Sequence, residues 1–217
     1  MFGSVRRLLL PTLLVVLAGG AVFAVLRDER PPREPAPSPA APLSAARLAA
    51  IDRLLQASGA LEVREITAAE RQAFTRTCRS LSTTDRLLRA ERARCLAVGA
   101  ASAADNVLKT CSSYAECGSE LRVLRSAFDR EITATRRLND VIRGTVADRR
   151  CQAALRAPAS DLRLLDAYAR GLTVLQTAYD KRSEPLVKRA LGGLAGVPLD
   201  TLRSVRSQRA DLRRACR

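Results

Sequence analysis

The feature that most constrains this chain is a stripe of apolar residues beyond its midpoint. Leu121, Leu124, Phe128, Ile132, Thr135, Leu138, Ile142 and Val146 follow one another at steps of three and four, the spacing that lines one side of an α-helix. A helix this long cannot bury its stripe alone, so other helices must pack along it.

The remaining sequence supplies them. Ser44 to Ser58 carries Leu48, Ile51, Leu54 and Leu55 on one side, with Gly59 expected to stop the helix. Thr67-Ala68-Ala69-Glu70 has the form of a capping box, in which hydroxyl and carboxylate satisfy free amides at a helix start. Phe74, Cys78 and Leu81 follow at helical spacing, and Ser82-Thr83-Thr84-Asp85 either caps a new helix or bends a continuous one. Leu88, Cys95, Val98, Leu108 and Cys111 then share a broad face. The long stripe has room to run on through Cys151 to Arg156, kinked at Gly144, before Ala157-Pro158 ends it. Ser160 is expected to cap a helix carrying Leu165, Tyr168, Leu172, Leu175 and Tyr179. Glu184 to Leu194 is a short helix with Pro185 in its first turn, where the missing amide costs nothing. A last helix from about Leu199 turns Leu202, Val205, Leu212 and Cys216 inward.

Composition agrees. Aromatic residues make up 3% of the chain and Trp is absent, so the core must come from Leu, Ala, Val and Ile. Ala, Leu and Arg have the best helix propensities. The expected fold is all-α: an antiparallel helical bundle stapled by disulfides, preceded by one transmembrane or signal helix and a Pro-rich spacer.

That preceding segment determines the expected compartment. Residues 1–7 form a short basic flank with Arg6 and Arg7, and an uncharged apolar run fills 8–26. A membrane-spanning helix needs roughly 20 apolar residues, whereas the core of a cleaved signal has about 7–15. An anchor therefore fits better than a cleaved signal, although Val22-Phe23-Ala24 and Gly19-Gly20-Ala21 offer small residues for cleavage. The acid-free flank is expected on the cytoplasmic side, which sends residues 44–217 out of the cytoplasm on a single-pass anchor. Residues 27–43 are rich in proline and read as a semi-rigid spacer.

Six cysteines in an exported domain point to disulfides. A metal site is disfavoured because the chain has no His and no C-x-x-C pair. The five residues between Cys111 and Cys117 form a loop that brings the two thiols together. If the chain reverses near Ser113, going back 33 residues from Cys111 reaches Cys78, and going forward 34 from Cys117 reaches Cys151. Two antiparallel arms would then set Cys78 level with Cys151, leaving Cys95 for Cys216. The expected pairs are Cys111–Cys117, Cys78–Cys151 and Cys95–Cys216.

No enzymatic motif emerges. Triads and metal hydrolases lean on His, and no cofactor motif is present. The acid pairs Glu62/Glu65 and Glu116/Glu120 have Arg nearby and read as solvated surface. A carboxylate-only envelope hydrolase would need two acids converging in a cleft. The formal net charge is +15, nearly all from Arg, a bias that GC-rich coding also produces. In the last helix Arg203, Arg206, Arg214 and Arg217 would span an arc of about 80° at ideal helical geometry, a surface for anionic lipid, acidic envelope polymer or extracellular DNA. Nucleic acid is the weakest of these because stacking aromatics are missing. The expected role is binding or scaffolding in the cell envelope, alone or as a partner whose helices complete a membrane complex.

Overall fold

In the computed structural model, the structure describes residues 41–63, 67–108, 111–199 and 202–216. The apolar run 8–26, most of the spacer, Glu65 and Arg217 lie outside them. The described residues form eight helices: α1 (Ala45–Val63), α2 (Ala68–Arg79), α3 (Arg86–Leu108), α4 (Tyr114–Thr145), α5 (Arg149–Leu155), α6 (Ala159–Asp180), α7 (Glu184–Ala195) and α8 (Val205–Ala215). They carry no named strand; the sole β-type pairing among them is a parallel bridge between Ala41 and Val146. None of these helices is long and apolar enough to cross a membrane.

The helix boundaries follow local chemistry. Thr67 and Glu70 make the capping box: Thr67 Oγ1 accepts from Glu70 N at 3.2 Å, and Glu70 Oε2 accepts from Thr67 N at 2.8 Å. Asp85 caps α3 by accepting from Leu88 N at 2.9 Å, so Ser82–Asp85 starts a new helix. α4 stops at Thr145, and Asp148 opens α5 by accepting from Cys151 N at 2.8 Å; the expected continuation to Arg156 is broken there. Gly59 does not end α1, which runs on to Val63. α6 begins at Ala159 behind Pro158 with no side-chain cap, so Ser160 lies inside the first turn. α8 begins at Val205, capped by Ser204, six residues later than expected.

α6 ends in a Schellman motif. Arg182 N donates to Tyr179 O at 2.9 Å and Ser183 N to Ala178 O at 3.2 Å, with Arg182 at φ 50°. A residue with a Cβ is strained in this left-handed region. The two hydrogen bonds hold it there and fold α7 back along α6.

α4 is the spine, and its buried side chains are Leu121, Leu124, Ile132, Thr135, Leu138 and Ile142 among others. Its first half joins α6 and α7 in a cluster built on Leu121, Leu124, Leu172, Leu175, Val187 and Leu194. Its second half joins α1, α3, α5 and α8 around Ile51, Leu55, Leu87, Ile142, Leu155 and Leu212. A third cluster of Leu54, Phe74, Cys78, Leu81 and Cys95 ties α2 to α1 and α3. Domains more often bury one contiguous core; here three abut. Buried Asn139 brackets the α5–α6 turn, donating to Ala157 O at 3.0 Å and accepting from Ala157 N at 2.9 Å.

All six cysteines are paired. Cys111 joins Cys117, but Cys78 joins Cys95 and Cys151 joins Cys216. The expected Cys78–Cys151 and Cys95–Cys216 pairs are therefore corrected. Their derivation required two uninterrupted arms. The breaks capped by Asp85 and Asp148 turn α2 and α5 into separate elements, so equal distance along the chain no longer means equal height. Cys95 is instead presented to α2, and Cys151 to the end of α8.

Candidate functional site

Where the three clusters meet, they leave a cavity of about 400 Å³. Leu55 enters from the first cluster, Phe74 and Cys95 from the third, and Phe128 and Tyr168 from the margin of the second. The C-terminal segment closes one side with Leu199, Val205 and Gln208. The cavity opens to solvent, and its volume lies within the usual range for small-molecule sites, about 300–1,000 Å³.

Aromatic side chains concentrate here. Phe74, Phe128 and Tyr168 are three of the five aromatics among the described residues. The rings of Phe128 and Tyr168 stand 5.1 Å apart, tilted by 42°. Phe74 lies against α3 because position 99 is Gly: a Cβ there would sit 3.1 Å from Phe74 Cε1.

Most of the polar lining is already committed. Ser58 Oγ donates to Leu54 O at 3.0 Å, and Gln208 Nε2 donates to Leu155 O at 3.2 Å. Asp105 and Tyr168 each have an interaction of their own. Arg94 Nε donates to Glu91 Oε2 at 3.2 Å, and Glu91 is 1% exposed.

Glu131 stands apart. It comes from the middle of α4 and lines the cavity opposite Arg94 of α3. Among the described residues its carboxylate takes part in no hydrogen bond. Burial pushes its pKa above the ordinary carboxylate value, and the nearby Arg94 charge only partly opposes this. A carboxyl with a raised pKa in an aromatic-lined cavity is the arrangement found at binding and catalytic sites. Its signal in the sequence is slight: Phe128 and Ile132 belong to the α4 stripe, and Glu131 beside them reads as an ordinary polar neighbour. Only the fold brings it to Arg94, Phe74 and Tyr168.

The basic surface expected at the C-terminus is divided between bracing and solvent. Arg203 lies before the Ser204 cap, so it does not belong to α8, and the arc drawn through it is corrected. Its guanidinium donates to Asp211 Oδ2 at 2.7 Å, Arg156 O at 3.3 Å and Ala153 O at 3.4 Å, and it is 16% exposed. Arg209 grips Asp52 of α1 through two bonds of 2.9 and 3.1 Å, and Arg213 adds a third at 3.1 Å. The Arg209 hydrogen bonds hold the Asp52 pKa below its usual value, with Arg213 adding to the effect and burial opposing it. Arg214 reaches Asp211 at 2.8 Å. Arg206 is exposed with no acidic partner among the described residues. Of the four arginines expected to form one contact surface, the structure gives one to internal bonding, pairs one with Asp211, leaves one in solvent, and does not describe Arg217.

Glu116 is likewise structural. Its carboxylate accepts from Ser112 N at 2.9 Å and Ser112 Oγ at 2.8 Å, while Ser113 caps α4. The Ser112 backbone bond, helped by its hydroxyl, lowers the Glu116 pKa. No group of three or more Cys, Asp or Glu side chains among the described residues is placed to hold a metal ion. Comparison with protein families, curated proteins and solved structures finds no match to this chain.

Proposed function

We propose that the protein is a membrane-tethered, extracytoplasmic binding protein of the cell envelope. We further propose that the central cavity takes an organic cation with an apolar body. The tether rests on the apolar run 8–26, and the compartment on six cysteines closed as three disulfides, which persist in oxidising spaces. The ligand class rests on one observation: Glu131 faces an aromatic-lined cavity with its carboxylate unbonded among the described residues. A partly buried, unpaired carboxylate is costly. An ammonium or amidinium ligand removes that cost by donating to it, and aromatic faces add cation–π attraction of about 0.5–2 kcal/mol. Arg94 is bonded to Glu91 and also attracts Glu131, so this one guanidinium is shared between two carboxylates and Glu131 is only partly compensated.

A carboxylate-only hydrolase is the second reading, favoured by one fact: Asp105 of α3 and Glu131 of α4 line the same cavity. Asp105, however, is engaged already, and a mechanism of this kind needs both acids at the scissile bond.

Thermal unfolding of the full chain in detergent tests the ligand class, using phenethylammonium and phenylacetate as probes of matched size and opposite charge. At ten times its dissociation constant a ligand adds about 1.4 kcal/mol, roughly 3–6 °C for a protein of this size. The cation is expected to raise Tm by that amount, and the anion to leave it unchanged. Stabilisation by the anion alone contradicts the proposal.

A further inference from the structure

A second concave surface lies away from the central cavity. α6 and α7, folded back on each other by the Arg182 turn, leave between them a groove of about 460 Å³. Its floor is made of small residues at helical spacing, Gly171 and Ala178 on α6 with Ala190 and Gly193 on α7, and Leu186 and Val174 form its rims. These rims are exposed apolar side chains, Val174 at 60% and Leu186 at 36%. A concave apolar surface of this kind is one that an apolar ligand segment can cover.

Charge indicates what does. The ionisable residues lining the groove are Lys181 and Arg189, both cationic. Neither has an acidic partner among the described residues, whereas neighbouring Lys188 is paired with Glu184 at 2.7 Å. Lys181 follows the last residue of α6, and Arg189 lies in the first half of α7, so both belong to the end of the groove nearest the turn. From Lys181 back to Ala167 the lining on α6 is uncharged, a length of about 21 Å at 1.5 Å per helical residue. The groove is therefore cationic at one end and apolar for the rest of its length.

We propose that this groove binds a single-chain amphiphile whose anionic head, carboxylate or phosphate, sits between Lys181 and Arg189 while its acyl tail lies along the floor toward Ala167. A second copy of the chain is a poor occupant, because this face brings no anionic group to meet Lys181 and Arg189. A flat membrane surface does not fill a trough. An acidic amphipathic helix would present charge along its length, and the groove offers complementary charge only at one end.

The test is equilibrium dialysis of labelled palmitate against the full chain in a neutral glycol-ether detergent, read as binding above a protein-free blank of the same detergent, with dodecyl phosphate and neutral dodecyl maltoside as competitors. Palmitate is expected to bind, dodecyl phosphate to displace it, and dodecyl maltoside to displace it far less. Two variants locate the site. Gly193→Phe fills the groove, since a Cβ at Gly193 meets nothing within 4 Å and the core is undisturbed. Lys181→Glu with Arg189→Glu reverses the cationic end. Each is expected to weaken palmitate by about tenfold or more, the scale of one lost charge-assisted hydrogen bond, with Tm of the unliganded protein near that of the wild type. Glu131→Gln, in the separate cavity, is expected to leave palmitate binding unchanged. Absence of palmitate binding, equal displacement by the neutral detergent, or affinity unchanged in both groove variants each overturns the proposal. So does failure of palmitate together with groove-dependent binding of an acidic amphipathic peptide, which assigns the groove to a helix.

Discussion

Replacing Cys151 and Cys216 together by Ala is expected to lower unfolding free energy by roughly 4 kcal/mol, from the chain entropy released when a long loop is opened. The bond closes 65 residues of chain, against 17 for Cys78–Cys95 and 6 for Cys111–Cys117. The same relation gives about 3 and about 2 kcal/mol for the shorter loops, so the order of the three losses is itself a prediction. In Tm the largest corresponds to roughly 8–16 °C, measured by calorimetry on oxidised protein. Opening this bond also loosens α8, which then holds to α1 through Arg209, Arg213 and Asp52 and through buried Leu212. Val205 and Gln208 of α8 wall the central cavity, so phenethylammonium binding is expected to weaken in this variant even where it remains folded. An equal loss of stability from opening Cys111–Cys117 contradicts the pairing described here.

Glu131→Gln is expected to do the opposite to stability: raise Tm of the unliganded protein while abolishing cation binding. The folded-state pKa of Glu131 is raised above its ordinary value of 4.5 by burial. Between that value and the raised one the native state holds more protons than the unfolded chain, so stability falls as pH rises through this interval. Above it the whole cost is present, and the Gln side chain removes it. The gain of the variant is therefore largest near neutral pH and disappears below about pH 4.5, read from Tm against pH for both proteins. Asp52 runs the other way. Its pKa is held below 3.8 by Arg209 and Arg213, so its contribution is present above 3.8 and is lost as pH falls through its lowered value. A variant that loses stability at neutral pH would mean that Glu131 is a bracing residue.

The α4 stripe was legible because a helix buried along its length must repeat at threes and fours, whatever its partners. The same holds for Thr67 with Glu70 and for Pro185 in the first turn of α7, where a few neighbouring residues settle the geometry. Asp85 and Asp148 were harder. An Asp in a polar stretch caps a helix only if the chain turns there, and that depends on packing several helices away. Those two breaks are what bring Cys78 to Cys95 and Cys151 to Cys216 in place of the pairs that equal chain distance implies. Arg203 and Arg209 read as surface charge because their partners, Asp211 and the carbonyls of Ala153 and Arg156 for one, Asp52 for the other, are set by tertiary contact. The central cavity was not legible. It exists because three hydrophobic clusters abut without merging, and no local pattern records the hollow between them.

Whether the Glu131 carboxylate faces the ligand is read from ¹³C NMR of that carboxyl, assigned by its absence in Glu131→Gln. Its titration is followed in the unliganded protein and again with saturating phenethylammonium. The carboxyl is expected to titrate above 4.5 without ligand and clearly lower when the cation is bound, because an ammonium beside the carboxylate favours its charged form. A titration unmoved by saturating ligand would contradict this and take Glu131 out of the site.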